Sequence, residues 1–428
     1  MSTLALLGGK PEIDRELPPY RTIGEEERLA VDRVMQTGEL SGYVGEWCEA
    51  FDGGTEVRAF EAAWAEQFQV GHAIAVNSNT SGLIAAVGAA GVSPGDEVIV
   101  PPYTMSATAM APLIYGGIPV FVDIEPDTYC LDPNLVREAI TSRTRAIIVV
   151  NLFGHPAALH ELRVLADEKG IVLIEDNAQG PLATERGQLA GTIGHMGVFS
   201  LNYHKHFHTG EGGVCTTDDE DLALRLRLIR NHGENVVEPL EIEDATNLIG
   251  FNFRLTELSA AIGTEQLKKA ESLVARREEI ALRLSRAVED LPGLTPPMVR
   301  EDCRHAFYHW GGRYDEAETG VSRDTVVRAL AAEGAPVGQG YVAPLYLLPA
   351  FQRRMAIGRD GFPFTLSDRT YMRGLCPVAE RYHDSELLTV GVCSYELDDD
   401  DVADVIAAFE KVFSNLPALS NRAAESRA

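Results

Sequence analysis

Residues 145–176, RAIIVVNLFGHPAALHELRVLADEKGIVLIED, indicate the fold class of this chain. The apolar runs at 145–151 and 171–176 have the composition of buried strands, and residues 159–170 between them have the pattern of a helix. Near-continuous Val and Ile runs that alternate with helices are typical of a parallel sheet covered on both faces. The stretch therefore predicts an α/β fold.

The same alternation continues from about residue 58 to residue 217. We expect a large α/β domain over residues 1–265, with an N-terminal arm and a mostly parallel sheet between helices. The remaining strand-like runs are AIAV (73–76), EVIVP (97–101), PVFVDI (119–124) and GVFSL (197–201), and further helical patterns cover 57–69 and 81–91.

The pattern becomes helical after about Asn252. Residues 256–291 form one long amphipathic stretch that ends at Pro-Gly, which predicts a helix that connects domains or lines an interface. A predicted strand at 305–315 and helices at 322–334 and 398–416 follow it. We therefore expect a connecting helix and a smaller C-terminal α/β domain over residues 266–428.

The charge balance argues against two classes of partner. The chain has 428 residues, with 37 Lys and Arg against 64 Asp and Glu, a formal net charge of −27. A surface this negative repels phosphate backbones and anionic lipid, so we expect neither a nucleic acid nor a membrane as partner. No apolar run reaches the roughly 20 residues that span a bilayer, and the N-terminus lacks a secretory core. We expect a cytoplasmic protein whose six scattered cysteines are free thiols, since none forms a CxxC pair.

Three segments place polar residues directly after a predicted strand, where open α/β sheets bind ligands. In the first, strand 73–76 runs through Asn-Ser-Asn-Thr-Ser-Gly into a helix. The N–H groups and hydroxyls of Thr80 and Ser81 would converge on an anion at the positive end of that helix. The alternative is an ordinary N-cap with a turn.

The second segment is IVLIEDNAQG (171–180), in which Asp176 follows four apolar residues and Glu175. We expect its carboxylate at the carboxyl edge of the sheet, partly removed from water and in need of a cation or a strong donor. It could ligate a metal, cap a helix or pair with a protonated ring nitrogen.

The third segment is GVFSLNYHKHFHTGEGGVCTT (197–217). Lys205 lies between two histidines, and cationic neighbours would lower the pKa of its amine toward reactivity. If the segment were a strand, His204, His206 and His208 would share one face and could bind a metal. No nearby carboxylate is spaced to complete that ligand set, so we predict no metal site.

Together the three segments supply a phosphate site at a helix N-terminus, a carboxylate for a ring nitrogen and an amine for an aldehyde. These are the requirements of pyridoxal 5'-phosphate. At this point the chain resembles the DegT/DnrJ/EryC1/StrS family of sugar aminotransferases over nearly its whole length. The motifs that carry the resemblance are LALLGGKP (4–11), GDEVIVPPYT (95–104), IEDNAQ (174–179), HKHFHTGEGG (204–213), GFNFRLTELSAAIG (250–263) and CPVAE (376–380).

The resemblance implies the type I fold of pyridoxal phosphate enzymes and assigns roles to individual residues. Lys205 matches the Schiff-base lysine and Asp176 the carboxylate opposite the pyridine nitrogen, so these two are the predicted catalytic residues. Met105 stands where many family members carry an aromatic residue stacked on the cofactor ring. The other implied cofactor contacts are Gln179 to the phenolic oxygen, Thr80, Ser81 and Ser200 to the phosphate, and Asn252 to the phosphate of the neighbouring subunit in a homodimer with shared sites.

The function implied is a ping-pong transamination that moves an amino group from glutamate or glutamine to a nucleotide-linked keto sugar or a keto cyclitol. Two alternatives stay open. Some members of the family carry His in place of the lysine and catalyse dehydration, although the spacing to TGEGG favours Lys205 here. The other alternative is a non-catalytic or regulatory protein on the same fold.

The segment GYVGEWCEAFDGGTEVRAFE (42–61) is longer than the usual link into the first helix of the domain. It is either a surface loop or a part of the substrate mouth shaped by Trp47, Cys48 and Phe51.

Overall fold

The structure is a computed structural model that describes residues 3–425. The part of the chain before residue 231 is organised around one large sheet. In chain order its elements are α1 (Glu25–Thr37), α2 (Thr55–Phe68), β1 (His72–Val76), α3 (Asn79–Ala89), β2 (Glu97–Val100), α4 (Ala107–Ile114), β3 (Ile118–Phe121), α5 (Pro133–Ala139), β4 (Thr144–Val150), α6 (Leu159–Lys169), β5 (Val172–Asp176), β6 (Thr184–Glu185), β7 (Gln188–Leu189), β8 (Met196–Ser200), β9 (Gly213–Thr217) and α7 (Glu220–Arg230).

The large sheet has seven strands in the order β1-β9-β8-β5-β4-β2-β3. The pairs from β8 through β3 are parallel, and β9 is antiparallel to both of its neighbours. The predicted α/β class with a mostly parallel sheet is confirmed. Because β1, β5 and β8 run in the same direction, their last residues, Val76, Asp176 and Ser200, lie at one edge of the sheet.

A second sheet of four antiparallel strands lies in the C-terminal part, in the order β10-β12-β14-β13 once its strands are numbered along the chain. The predicted strand at 305–315 is shorter than expected. A turn in which Phe307, at φ 50°, donates its N–H to Nδ1 of His305 delays the strand to Trp310. The elements are α8 (Glu257–Val288), β10 (Leu294–Thr295), β11 (Cys303–Arg304), β12 (Trp310–Tyr314), α9 (Glu316–Thr319), α10 (Arg323–Ala332), β13 (Val337–Gln339), α11 (Pro349–Gln352), α12 (Pro377–Arg381), β14 (Leu387–Val390), α13 (Asp399–Ser414) and α14 (Leu416–Glu425).

Helix α8 contributes to two hydrophobic cores. Ala260 and Leu267 pack in the core of the large sheet, whereas Ile280 and Leu284 pack in the core of the four-stranded sheet. The boundary that we propose between the two domains, after residue 265, therefore falls inside a continuous helix. Within residues 3–425 no helix is both long and apolar enough to cross a membrane.

The N-terminal arm packs in the hydrophobic core of the four-stranded sheet, called the second core below. Leu4 and Ile13 are buried there, although they precede the large sheet in sequence. Glu333 holds the arm in place, because its carboxylate accepts the backbone N–H of Ala5 at 2.7 Å and the ammonium of Lys411 at 2.8 Å. The two ends of the chain thus meet in one cluster.

The long segment before α2 is tied down by the buried side chain of Arg230. Its guanidinium donates to Oε1 of Glu61 at 2.6 Å and to Oδ1 of Asp52 at 2.9 Å. Asn231 adds hydrogen bonds to the carbonyl oxygens of Val44 and Phe51. The Phe51 side chain is fully buried in the core of the large sheet, which argues against the alternative in which it shapes a substrate mouth.

Replacing Arg230 with Met should destabilise the protein strongly. Glu61 would stay buried without its partner, and breaking a buried pair in this way costs about 3–5 kcal/mol of unfolding free energy. Urea unfolding followed by circular dichroism measures the loss. Arg33→Met is the matched control, because the Arg33 side chain is 53% exposed in its pair with Glu56 and should contribute less than about 1 kcal/mol. Equal losses in the two variants would contradict the role given to Arg230.

Candidate active site

A cavity of about 190 Å³ opens at the carboxyl edge of the large sheet. Its wall is built mainly from residues at or just after the ends of β1, β2, β4, β5 and β8, including the loop that joins β8 to β9. Ligands of open α/β sheets bind at this edge. The structure brings six of the predicted site residues to the cavity wall, namely Thr80, Met105, Asp176, Gln179, Ser200 and Lys205.

Asp176 ends β5 and is 3% exposed. The hydroxyl of Thr108 donates to its Oδ2 at 2.8 Å, and the amide of Asn79 and the N–H of Ala178 each donate to Oδ1 at 3.3 Å. Burial raises the pKa of Asp176, and these donors and the charge of Lys205 oppose the rise. All three hydrogen-bond donors are neutral, so the buried carboxylate still lacks a cation at hydrogen-bond distance among the described residues.

Lys205 lies in the loop between β8 and β9 and is 8% exposed. Its Nζ lies 4.3 Å from the centroid of the Tyr308 ring. Burial lowers the pKa of Lys205 to about 8, against the opposing charge of Asp176. The predicted cause, positive charge on the flanking histidines, is wrong, because burial lowers the pKa of His204 to about 4 and that of His206 to about 3. Both imidazoles are neutral near pH 7.

The three histidines around Lys205 do not share a face, because residues 201–212 form turns rather than a strand. His204 is exposed on the cavity wall, whereas His206 is fully buried with its Nε2 at 2.8 Å from the carbonyl oxygen of Ala306. His208 accepts the N–H of Gly210. The strand on which the metal alternative depended is therefore absent here. Nor do the residues between 3 and 425 contain another group of three or more His, Cys, Asp or Glu that could hold a metal ion.

The N-terminus of α3 also meets the cavity. Ser78 is its N-cap, and the Ser78 Oγ accepts the N–H of Ser81 at 3.1 Å. The prediction that the Ser81 N–H is free for an anion is wrong, because the cap takes it, and Ser81 does not line the cavity. Thr80 is exposed on the wall, so the positive end of the helix reaches the cavity through this residue. Ser200, the last residue of β8, lies on the same wall.

Met105 and Asn252 differ in their placement. Met105 is 58% exposed and borders the cavity. A flexible thioether therefore takes the place of the rigid aromatic ring that many family members carry here. Asn252 is exposed, does not line this cavity and pairs through its backbone with Asn231. Trp47 and Cys48 also lie outside the cavity wall.

Sequence reasoning missed several residues of the site. Thr108 is 68 positions from Asp176. Tyr341, whose hydroxyl accepts a hydrogen bond from the side-chain amide of Gln179 at 3.0 Å, is 162 positions from Gln179. A signal existed for Thr108 and Asn79, since each follows a predicted strand closely. Tyr341 offered none, because β13, the strand that precedes it, has only three residues and was not predicted.

A model of the DegT/DnrJ/EryC1/StrS aminotransferase family matches residues 23–410. The chain belongs to this family. The predicted family, aminotransferase activity and pyridoxal phosphate cofactor are thereby confirmed.

Three relatives indicate the range of this family. The chain is 33% identical over 436 residues to the L-glutamine:2-deoxy-scyllo-inosose aminotransferase of Micromonospora echinospora, covering 97% of this chain and 99% of the relative. It is 33% identical over 402 residues to the spore coat polysaccharide biosynthesis protein SpsC of Bacillus subtilis, covering 91% and 95%. Its fold matches the crystal structure of DesI in the presence of its TDP-sugar product, with a TM-score of 0.81, 29% identity and 99% of each chain covered.

We expect the Lys205 amine to react with an acylating reagent in its neutral form. Because burial lowers its pKa to about 8, labelling should rise with pH and reach half of its maximum near that value. The measurement is limited acetylation of the cofactor-free protein at a series of pH values, with mass spectrometry of the peptide that contains Lys205. Lys205→Arg gives the blank. A half-maximum above pH 10 would contradict the desolvated environment.

Proposed function

We propose that this protein is a pyridoxal phosphate-dependent aminotransferase that moves an amino group from glutamate or glutamine to a keto cyclitol or a nucleotide-linked keto sugar. The observation that carries the proposal is the meeting of Lys205 and Asp176 in one cavity, beside the N-terminus of α3. Each of these groups would bind a different part of the cofactor.

The residues fit the cofactor on a structural test. The Asp176 carboxylate is buried among neutral donors, and a protonated ring nitrogen of the cofactor would supply a cation beside it. The exposed Thr80 at the positive helix end, with Ser200 beside it, would hold the phosphate. Lys205 would bond to the aldehyde carbon.

When bound, the cofactor supplies an electron sink for the carbon that loses its proton. Lys205 is partly neutral near pH 7 to 8, so its Nζ could take the proton that the amino-donor carbon loses and deliver it to the carbon that carried the aldehyde of the cofactor. Thr108 and Asn79 fix the direction of the Asp176 carboxylate, which would hold the proton on the ring nitrogen of the bound cofactor. Gln179 would donate to the phenolic oxygen through its amide.

Lysine rather than histidine is the proton carrier in this proposal. His206 is turned away toward the Ala306 carbonyl and is fully buried. Lys205 lies on the cavity wall. His204 also lies on the wall, but an imidazole cannot form the bond to the aldehyde carbon that a lysine amine forms, so the loop favours the transaminase over the dehydratase alternative.

The choice of substrates follows the relatives. The Micromonospora echinospora relative is named for L-glutamine and 2-deoxy-scyllo-inosose, and the DesI structure was determined in the presence of a TDP-sugar. We extend these two classes of acceptor, a keto cyclitol and a nucleotide-linked keto sugar, to this chain. We also place the enzyme in the cytoplasm, where its six free thiols would stay reduced.

We further propose a homodimer with shared sites. The described residues that line the cavity include two acids, Asp176 and Glu211, but no arginine. A phosphate and a substrate carboxylate would add more negative charge, so a second copy that contributes polar or cationic groups would complete the site. Asn252 is available for this role, because it is exposed on the segment that Arg254 attaches to Asn231.

The activity test separates the two halves of the reaction. We expect the pyridoxamine phosphate form of the enzyme to return to the pyridoxal phosphate form when it meets its acceptor, as measured by absorbance. The panel contains 2-deoxy-scyllo-inosose and TDP-linked 3- and 4-keto sugars. Lys205→Ala should lose at least about 10³-fold in rate, since it removes the proton carrier.

Two results would count against the proposed function. One is a wild-type enzyme that fails to react with every keto cyclitol and keto sugar in the panel although it carries the aminated cofactor. The other is a Lys205→Ala variant that keeps wild-type turnover.

The shared site is tested by mixing two inactive variants. Lys205→Ala and Asn252→Ala should each be inactive alone, because each removes one residue from every site. After subunit exchange at equal concentrations, roughly a quarter of the sites should be active, since half of the dimers are mixed and each of those has one intact site. Activity of the mixture measures the return. A mixture that stays inactive despite exchange shown by native mass spectrometry would assign Asn252 to the site of its own subunit.

A further inference from the structure

Tyr341 is the contribution of the C-terminal part to the cavity. Among the described residues that line it, Tyr341 alone comes from beyond residue 212. Its backbone N–H donates to the hydroxyl of Tyr103 at 2.8 Å. Its ring lies edge-on to Phe153, with 5.2 Å between centroids, and at 5.8 Å from the ring of His309. The phenol is therefore held in a fixed position on the wall.

The hydrogen bond between Gln179 and Tyr341 has a defined direction. The Oε1 of Gln179 accepts the backbone N–H of Phe153 at 2.8 Å, and a backbone N–H can only donate. The Nε2 of Gln179 must then face Tyr341, whose oxygen is 3.0 Å away. An amide nitrogen cannot accept a hydrogen bond, so the phenol oxygen is the acceptor in this pair.

This direction leaves the hydroxyl proton of Tyr341 without a protein acceptor. Between residues 3 and 425, the hydrogen bond that this hydroxyl makes is the one that it accepts from Gln179. Burial raises the pKa of Tyr341 to about 12, so the proton is present at neutral pH. A ligand that displaces water from the cavity must supply an acceptor or leave this donor unsatisfied.

We propose that Tyr341 is a ligand-binding residue whose hydroxyl donates a hydrogen bond to an oxygen atom of a molecule in the cavity. The inference rests on the proposed function, which fills the cavity with a cofactor and a polyhydroxylated ketone. Both molecules carry oxygen acceptors. The phenolic oxygen of the cofactor and a hydroxyl or carbonyl oxygen of the keto substrate share this chemistry, and the experiment distinguishes them.

Tyr341→Phe removes the hydroxyl and keeps the ring. The holoenzyme is tested in two half-reactions, with L-glutamine as donor probe and 2-deoxy-scyllo-inosose as acceptor probe, together with the absorption spectrum of the resting enzyme. A bond to the substrate predicts an acceptor half-reaction slowed about tenfold in kcat/KM, with the donor half-reaction within about twofold and an unchanged spectrum. A bond to the cofactor predicts that both half-reactions slow and that the absorption band of the resting enzyme shifts.

The inference is overturned if Tyr341→Phe matches the wild type in both half-reactions and in the spectrum. Failure of the proposed function would look different, because the wild type itself would then be inactive with every acceptor of the panel. If the wild type reacts only with a keto sugar of that panel, that sugar replaces 2-deoxy-scyllo-inosose as the acceptor probe. Tyr371→Phe is the matched control, since its buried hydroxyl donates to the Pro119 carbonyl at 3.0 Å and lies outside the cavity wall. We expect this control to stay within about twofold of the wild type in every readout.

A double-mutant cycle separates direct contact from an effect through Gln179. A Gln179→Leu background contains no side-chain amide that Tyr341 could position. A direct bond to the ligand predicts that Tyr341→Phe still slows the same half-reaction by several-fold. If the second substitution adds nothing in that background, Tyr341 acts only by positioning Gln179, and the proposed contact with the ligand is wrong.

Discussion

The buried carboxylate of Asp176 is the constraint that the rest of the site serves. A carboxylate that is 3% exposed and surrounded by neutral donors is costly unless a cation comes to it. The preceding residue makes the point by contrast. Glu175 is equally buried, but its oxygens accept three backbone N–H groups at 2.6 to 2.8 Å from the loop 191–194. Two of the three donors to Asp176 lie at 3.3 Å, farther away than the backbone donors to Glu175, so Asp176 is the acid that retains capacity for a further donor.

The alternation of a strand explains how two adjacent acids take such different roles. Successive side chains of β5 point to opposite faces of the sheet, so Glu175 meets the loop before β8 while Asp176 meets the helices α3 and α4. The parallel neighbours β4 and β8 fix the register of this strand end. The position of the carboxylate is thus set by the sheet, and its environment by the loops at the edge.

Residues whose role depends on a strand end could be placed from the sequence. Asp176, Ser200 and Thr80 each follow an apolar run, and parallel strands bring such ends together without any knowledge of side-chain packing. The loop that carries Lys205 shows the limit. Its polar composition predicted the amine on the wall, but not that burial, rather than charge on His204 and His206, sets the pKa of that amine.

Contacts between distant segments could not be read in the same way. Tyr341 reaches Gln179 because the C-terminal part folds back over the edge of the sheet. The periodicity of apolar residues in the sequence does not indicate this contact. The N-cap at Ser78 is a local feature, but the sequence alone does not tell whether its hydroxyl accepts the N–H of Ser81. That hydrogen bond depends on the side-chain rotamer of Ser78.

The insertion of the N-terminal arm into the second core has a consequence for biosynthesis. Leu4 and Ile13 lie in the same hydrophobic core as Phe409 and Leu416, and the backbone N–H of Ala5 donates to the carboxylate of Glu333, 328 positions away. The arm is therefore synthesised long before its partners. About 400 residues separate Ile13 from Leu416, and at roughly 5–20 residues per second their synthesis takes about 20 to 80 seconds. During this time the large sheet can fold, whereas the second core can close only after Leu416 has been made.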